Sequence, residues 1–186
     1  WKLNYIDGLK TKDSSIELIF GTAIHETIQE WLFVHYNDDK MKANVNDMVG
    51  RFKVKLMESF RTNFITAEDG TQHPICDRET FEEYYLDGKA ILDWIKARKN
   101  DIFPASGMIL VGTEIPLNVK VTEGVTFVGF IDMVVRNRKT KDYTLYDFKT
   151  SKKGWYFQKK DYKKTDQLLL YKKFFSDSAS VELNAI

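Results

Sequence analysis

Asp132 and the tripeptide Asp147-Phe148-Lys149, fifteen residues further on, combine two carboxylates with an ammonium group. In an extended strand alternate side chains share a face, so Asp147 and Lys149 point one way and Phe148 points the other, into packing. The run Val125–Val135 reads as a strand, and Arg136–Asp142 is polar enough to be a hairpin loop. Placing Asp132 across from Asp147 pairs Val135 with Thr144 and leaves Arg138–Lys141 as a four-residue turn. All three charged groups then lie on one surface. Such a set can hold a hard cation through oxygen ligands. The cation would generate a hydroxide and neutralise phosphate charge, with the ammonium positioning the water, which is what phosphodiester cleavage needs. Two acids and a lysine on neighbouring strands also make an ordinary surface salt bridge, so D-x-K alone does not choose between these readings.

Other residues add to the set. Gly21-Thr22-Ala23-Ile24-His25 stands upstream and Gln167-Leu168-Leu169-Leu170-Tyr171 downstream. The order G-T-x-x-H, G-x-x-D, D-x-K, Q-x-x-x-Y resembles the RecB-type branch of the PD-(D/E)XK nuclease superfamily, over about Leu18 to Phe175. The resemblance implies an α/β, restriction-endonuclease-like core, with a small mixed β-sheet flanked by helices. It implies a magnesium- or manganese-dependent DNA nuclease, first of all an exonuclease, acting in repair, recombination or phage replication. His25, Asp132, Asp147 and the main-chain carbonyl of Phe148 would then bind the metal. Lys149 would orient or activate the water, while Gln167 and Tyr171 would fix catalytic groups or DNA. RecB-type proteins often carry a glutamate on the first strand, here Glu114; a metal-side role and a structural one both stay open for it. The usual second acid of the superfamily is glutamate, whereas Asp147 stands here, as is common in the RecB branch. The four cysteines that hold an iron–sulfur cluster in some relatives have no counterpart, since Cys76 is the one cysteine. A non-catalytic nucleic-acid-binding or assembly module of the same fold, and a nuclease acting on RNA, are the alternatives.

A net charge of +1, from 28 Lys plus Arg against 27 Asp plus Glu, gives no global attraction to nucleic acid, so binding must come from a local patch. Lys149–Lys164 supplies one, with seven lysines interleaved with four aromatics. Within it Lys152, Lys153, Lys159 and Lys160 can meet phosphates, and Trp155 and Tyr156 can stack on unpaired bases at ~1–3 kcal/mol each. DNA with single-stranded or frayed ends is the expected partner. A solvated basic loop with its aromatics tucked inward is the plainer alternative. A single cysteine, no secretory signal and no run of eighteen apolar residues lead to the expectation of an intracellular, cytoplasmic protein away from membranes.

At 186 residues and 43% hydrophobic composition the chain can bury one good core, so one domain over 1–186 is expected, with a helical insertion at about 47–100. Gly21-Thr22 reads as the start of a helix running to Tyr36, with Thr22 as N-cap, an apolar stripe of Ile24, Ile28, Trp31, Leu32 and His35, and His25 in the first turn, where the helix dipole disfavours imidazolium. Asp47–Thr62 and Asp77–Asn100 are amphipathic helices, and Ala67–Cys76 between them, containing His73, is a loop. Met108–Val121 begins the strands with Val111, Thr113, Ile115, Leu117 and Val119 on one face and Glu114 on the other. A closing helix over Asp161–Ser176 puts Gln167 and Tyr171 one turn apart. A final strand is expected at Val181–Ile186.

Overall fold

The computed structural model describes residues 15–37, 42, 46–151 and 162–183. Helices flank two small sheets in a mixed α/β arrangement: α1 (Ile16–Asn37), α2 (Met48–Thr62), β1 (Phe64–Thr66), β2 (Gln72–Pro74), α3 (Arg78–Ala97), the short turn α4 (Lys99–Ile102), β3 (Met108–Thr122), β4 (Val125–Asn137), β5 (Tyr143–Tyr146) and α5 (Tyr162–Leu183). This is the architecture of a restriction-endonuclease-like core. Both sheets are antiparallel in their described strands, β1 with β2 and β3-β4-β5 in that order. No described helix is long and apolar enough to cross a membrane. The chain gathers into two compact units, one built from the residues up to Ile28 with Asn46–Lys99, the other from Gln29–Val45 with Asn100 onward.

In the first unit, α2 and α3 start at aspartate caps. Asp47 accepts from Gly50 N and Asp77 from Thr80 N, each at 2.8 Å, satisfying amides that the helices cannot. Phe20 of α1 packs edge-on to Phe52 and Tyr84, and Gly88 of α3 lets the Phe52 ring approach where any Cβ would collide with it. Residues 67–76 are not a plain loop. They belong to a small hairpin that pairs Phe64 with Pro74 and puts His73 across from Ile65, because Asp69 and Gly70 close a tight turn.

α1 begins earlier than the Gly21-Thr22 signal suggests. Its apolar stripe extends upstream through Ile16, Ile19, Phe20 and Ala23, all buried, and Ser15 Oγ accepts from Leu18 N at 3.3 Å. Burial of that stripe outweighs a glycine inside the helix. Thr22 is therefore exposed and mid-helix, not a cap, and His25 lies in the helix interior, half-buried, not in the first turn. The N-terminal helix dipole, confined to the first turn, does not act on it there.

The second unit is built on the β3–β4 hairpin. Leu117, Ile131, Val134, Tyr171 and Phe174 form its buried cluster, with Ile115, Val119, Phe127, Tyr143, Leu145 and Phe175 packed around it. A bulge between Leu110 and Gly112 corrects the expected β3 face. It turns Leu110 inward, at 8% exposed, and leaves Val111 at 46%, while Thr113 to Val119 keep the expected alternation. On the other side of Asp147, β5 is tied to α4 and the segment after it. The rings of Tyr146 and Phe148 lie against Phe103 at 5.6 and 6.0 Å, and the Phe103 carbonyl accepts from the buried His35 Nε2 at 3.0 Å.

Of the strand expected at Val181–Ile186, residues 181–183 are helical instead and 184–186 lie outside the described residues. α5 continues through Leu183, since no glycine or proline follows Ser176, whose hydroxyl bonds back to the Lys172 carbonyl at 2.8 Å within the helix.

Candidate active site

Backbone register carries the acids to one place. β4 pairs with β5 through Val135↔Thr144 and Met133↔Tyr146, so one further step sets Asp132 across from Asp147. Asn137 N donates to the Asp142 carbonyl at 2.8 Å, leaving Arg138–Lys141 as the turn, and Asn137 Oδ1 holds the amides of Lys139 and Thr140. On the other side, Thr113↔Met133 and Ile115↔Ile131 put Glu114 across from Asp132. Glu114 and Asp132 thus stand in one transverse row on β3 and β4, which Asp147 extends from the position just after β5.

Each member of the row is held differently. Asp132 Oδ2 accepts from Phe148 N at 2.5 Å, locking the chain just past the end of β5. Asp147, with a side chain only 9% exposed, accepts on Oδ1 from Lys149 Nζ at 2.9 Å and from Gln167 Nε2 at 3.4 Å. A carboxylate this buried needs such partners, because desolvating an unpaired charge costs on the order of several kcal/mol. Gln167 Nε2 also donates to Tyr171 Oη at 2.8 Å, so one α5 amide bridges the phenol and the carboxylate. Tyr171 is itself buried, edge-on to Phe127 and against Gly129, where an added Cβ would stand 2.8 Å from the ring. The G-x-x-D glycine is thereby explained: it admits the tyrosine of the last motif.

Glu114 is the strained member. Its backbone has φ 51° inside a strand, and its Oε1 accepts from Gln29 Nε2 at 2.6 Å. Gln29 is the site residue that the sequence does not single out. Its signal is a polar residue beside Ile28 and one turn before Leu32 on the buried side of α1, where an unpartnered amide would be costly.

Among the described residues, no three His, Cys, Asp or Glu side chains converge as a ready metal cage. The donor set still fits a small hard cation. Such ions are commonly held by one or two carboxylates and complete their shell with water and substrate phosphate. Asp132 and Asp147 occupy adjoining positions just past the last β4–β5 pair, and Lys149 and Gln167 both meet the same oxygen of Asp147. His25 lies on α1 in the first unit, one turn before Gln29. The expected nucleic-acid contacts Lys152, Lys153, Trp155, Tyr156, Lys159 and Lys160 lie outside the described residues.

The sequence profile of the PD-(D/E)XK nuclease superfamily matches residues 1–183. No curated protein and no solved structure matches the chain. With nearly the whole chain matched, the protein belongs to the PD-(D/E)XK nuclease superfamily, whose members are metal-dependent nucleases.

Proposed function

We propose that this member of the superfamily is a magnesium- or manganese-dependent deoxyribonuclease of RecB type, working as an exonuclease in repair, recombination or phage replication inside the cell. Its two compact units act as one nuclease domain, with residues 47–100 as a helical insertion. The observation that carries the proposal is the convergence on Asp147: Lys149 of D-x-K and Gln167 of Q-x-x-x-Y both meet one oxygen of a nearly buried carboxylate. An isolated surface salt bridge would not recruit a half-buried amide, itself tied to a buried phenol, from a helix twenty residues away.

In this reading Asp132, Asp147 and the Phe148 carbonyl hold the cation, with His25 of the G-T-x-x-H motif and Glu114 as further donors. When bound, the ion supplies Lewis acidity that activates water and offsets phosphate charge. Lys149, a third exposed while its partner is not, can leave one hydrogen bond with Asp147 in place and direct another at water or at the attacked phosphate. Tyr171 and Gln167 keep Asp147 from rotating, which preserves the short-range geometry that in-line attack requires. Lys152–Lys160 track the strand backbone, with single-stranded or frayed DNA ends preferred because Trp155 and Tyr156 can stack on their bases.

End-labelled single- and double-stranded DNA and RNA, incubated with magnesium, manganese or excess chelator, test the proposal. Metal-dependent loss of labelled DNA ends supports it. Cleavage confined to RNA would move the substrate class, and no cleavage of either by folded, metal-loaded protein would leave a non-catalytic binding module.

A further inference from the structure

We propose that Gln29 is a positioning residue for Glu114, fixing that carboxylate as an additional oxygen donor in the row of acids; this rests on the nuclease reading above. Three observations meet here. Glu114 of β3 falls opposite Asp132 of β4, and Asp147 stands on the other side of Asp132, one residue past the last β4–β5 pair. Its backbone adopts the left-handed region at φ 51°, a conformation that a non-glycine residue keeps only when its surroundings hold it, and one that concentrates at functional sites. The contact that holds its side chain is the 2.6 Å hydrogen bond from Nε2 of Gln29, a residue 9% exposed on α1 and 85 residues away along the chain.

The chemistry of the pair favours a role toward a cation over a purely structural one. A salt bridge would fix Glu114 as well, but the charge of a lysine or arginine would cancel the negative charge that attracts a divalent ion. A neutral amide donor orients Oε1 and leaves the full charge on the carboxylate, whose second oxygen retains its capacity to ligate a cation. A partner of this kind, bound behind the donor and not to the metal, sets ligand orientation, and its loss typically weakens metal affinity about 10–100-fold. Aspartate at position 114 would be too short to keep the bond to Gln29, and a glutamate at position 29 would set two carboxylates against each other.

Manganese binding measured by calorimetry without nucleic acid tests this in four proteins: the parent, Gln29→Ala, Glu114→Gln and the double variant. Gln29→Ala should weaken binding about 10–100-fold. Glu114→Gln should weaken it at least as much, and the double variant no further than Glu114→Gln alone, because Gln29 acts only through that carboxylate. In cleavage assays the half-saturating metal concentration of Gln29→Ala should rise while its turnover at saturating metal stays within a few-fold of the parent. If the alanine variant does not fold, Gln29→Met fills the same buried space without a donor and must show the same shift. Unchanged manganese affinity in a folded Gln29 variant, or losses that add in the double variant, would overturn the proposal. A parent that binds manganese but cuts neither DNA nor RNA refutes the nuclease reading and leaves the binding cycle to judge Gln29. A parent that binds no manganese refutes both.

Discussion

Gly129→Ala should damage the active site from behind, without touching any residue that meets substrate. The new Cβ would stand 2.8 Å from Tyr171 Cε1, 3.4 Å from Tyr171 Oη and 3.4 Å from Phe127 Cε1. To regain an ordinary contact near 3.4 Å the tyrosine ring edge must retreat by about 0.6 Å. It has little room, since it is buried edge-on to Phe127, whose ring lies 4.7 Å from that of Phe174. Overpacking of this kind costs ~1–3 kcal/mol, which in a chain of this size lowers the melting temperature on the order of 2–10 °C. The retreat also pulls Oη from its 2.8 Å bond with Gln167, whose 3.4 Å reach to Asp147 is already long, so turnover should fall roughly 10- to 100-fold. Tyr171→Phe separates the two effects. It keeps the ring and its packing but removes the hydroxyl, so it should reproduce most of the rate loss with little of the melting shift. Differential scanning calorimetry and single-turnover cleavage on the parent and both variants give the numbers. A Gly129→Ala protein that melts and cuts like the parent would show that the Gly129–Tyr171 approach positions nothing.

Lys149→Ala should keep nucleic-acid affinity in calcium within a few-fold and still bind metal, yet lose about 10²–10³ in single-turnover rate, the usual cost of a preorganised donor; near-parental cleavage would return Asp147–Lys149 to the status of a plain salt bridge. Asp147→Ala should lose manganese binding along with activity, and retained metal affinity in calorimetry would exclude it as a ligand. Replacing Lys152, Lys153, Lys159 and Lys160 together should weaken DNA binding and flatten its salt dependence while manganese affinity stays parental; an unchanged slope of log affinity against log salt would place these lysines off the DNA path. In the first unit, burial and then the hydrogen bond to Glu17 push the Tyr84 phenol up to about 12, so the neutral phenol's stabilising contribution is whole below the ordinary tyrosine value of 10.0 and is lost as pH rises toward 12. Tyr84→Phe should therefore lose less stability than the parent between those pH values, and parallel urea midpoints across that range would contradict the assignment.

Strand register was the most legible part of the site. Two runs of period-2 residues and a polar connection of fixed length leave few ways to oppose Asp132 and Asp147, and Val135↔Thr144 follows from counting. The helical stripe through Trp31 and Leu32 was equally readable, because one-sided burial needs only local spacing. Local signals misled where tertiary packing outweighed them. Gly21-Thr22 looks like a helix start, but Ile16, Ile19 and Phe20 each had a buried position to fill, and the helix follows them. Nothing in Leu110-Val111-Gly112 announces which residue is bulged, and the left-handed φ at Glu114 has no local cue, since glutamate has no preference for it. Gln29 stays silent for a different reason: its meaning is a partner 85 residues away, a relation that spacing along one helix does not contain.

The acids owe their placement less to the hydrogen-bonded ladder than to what surrounds it. Asp147 stands one residue past the last β5 pair, where the ladder no longer fixes the chain. Its neighbours fix it instead, Tyr146 and Phe148 by setting their rings on Phe103, and Phe148 N by donating to Asp132 across the gap. Alternation along the chain then turns Asp147 and Lys149 away from those rings together, so one aromatic clamp orients both charged groups. Beyond Tyr146 the β4–β5 pairing stops, and the Phe148 backbone is held by the Asp132 carboxylate where the ladder no longer reaches.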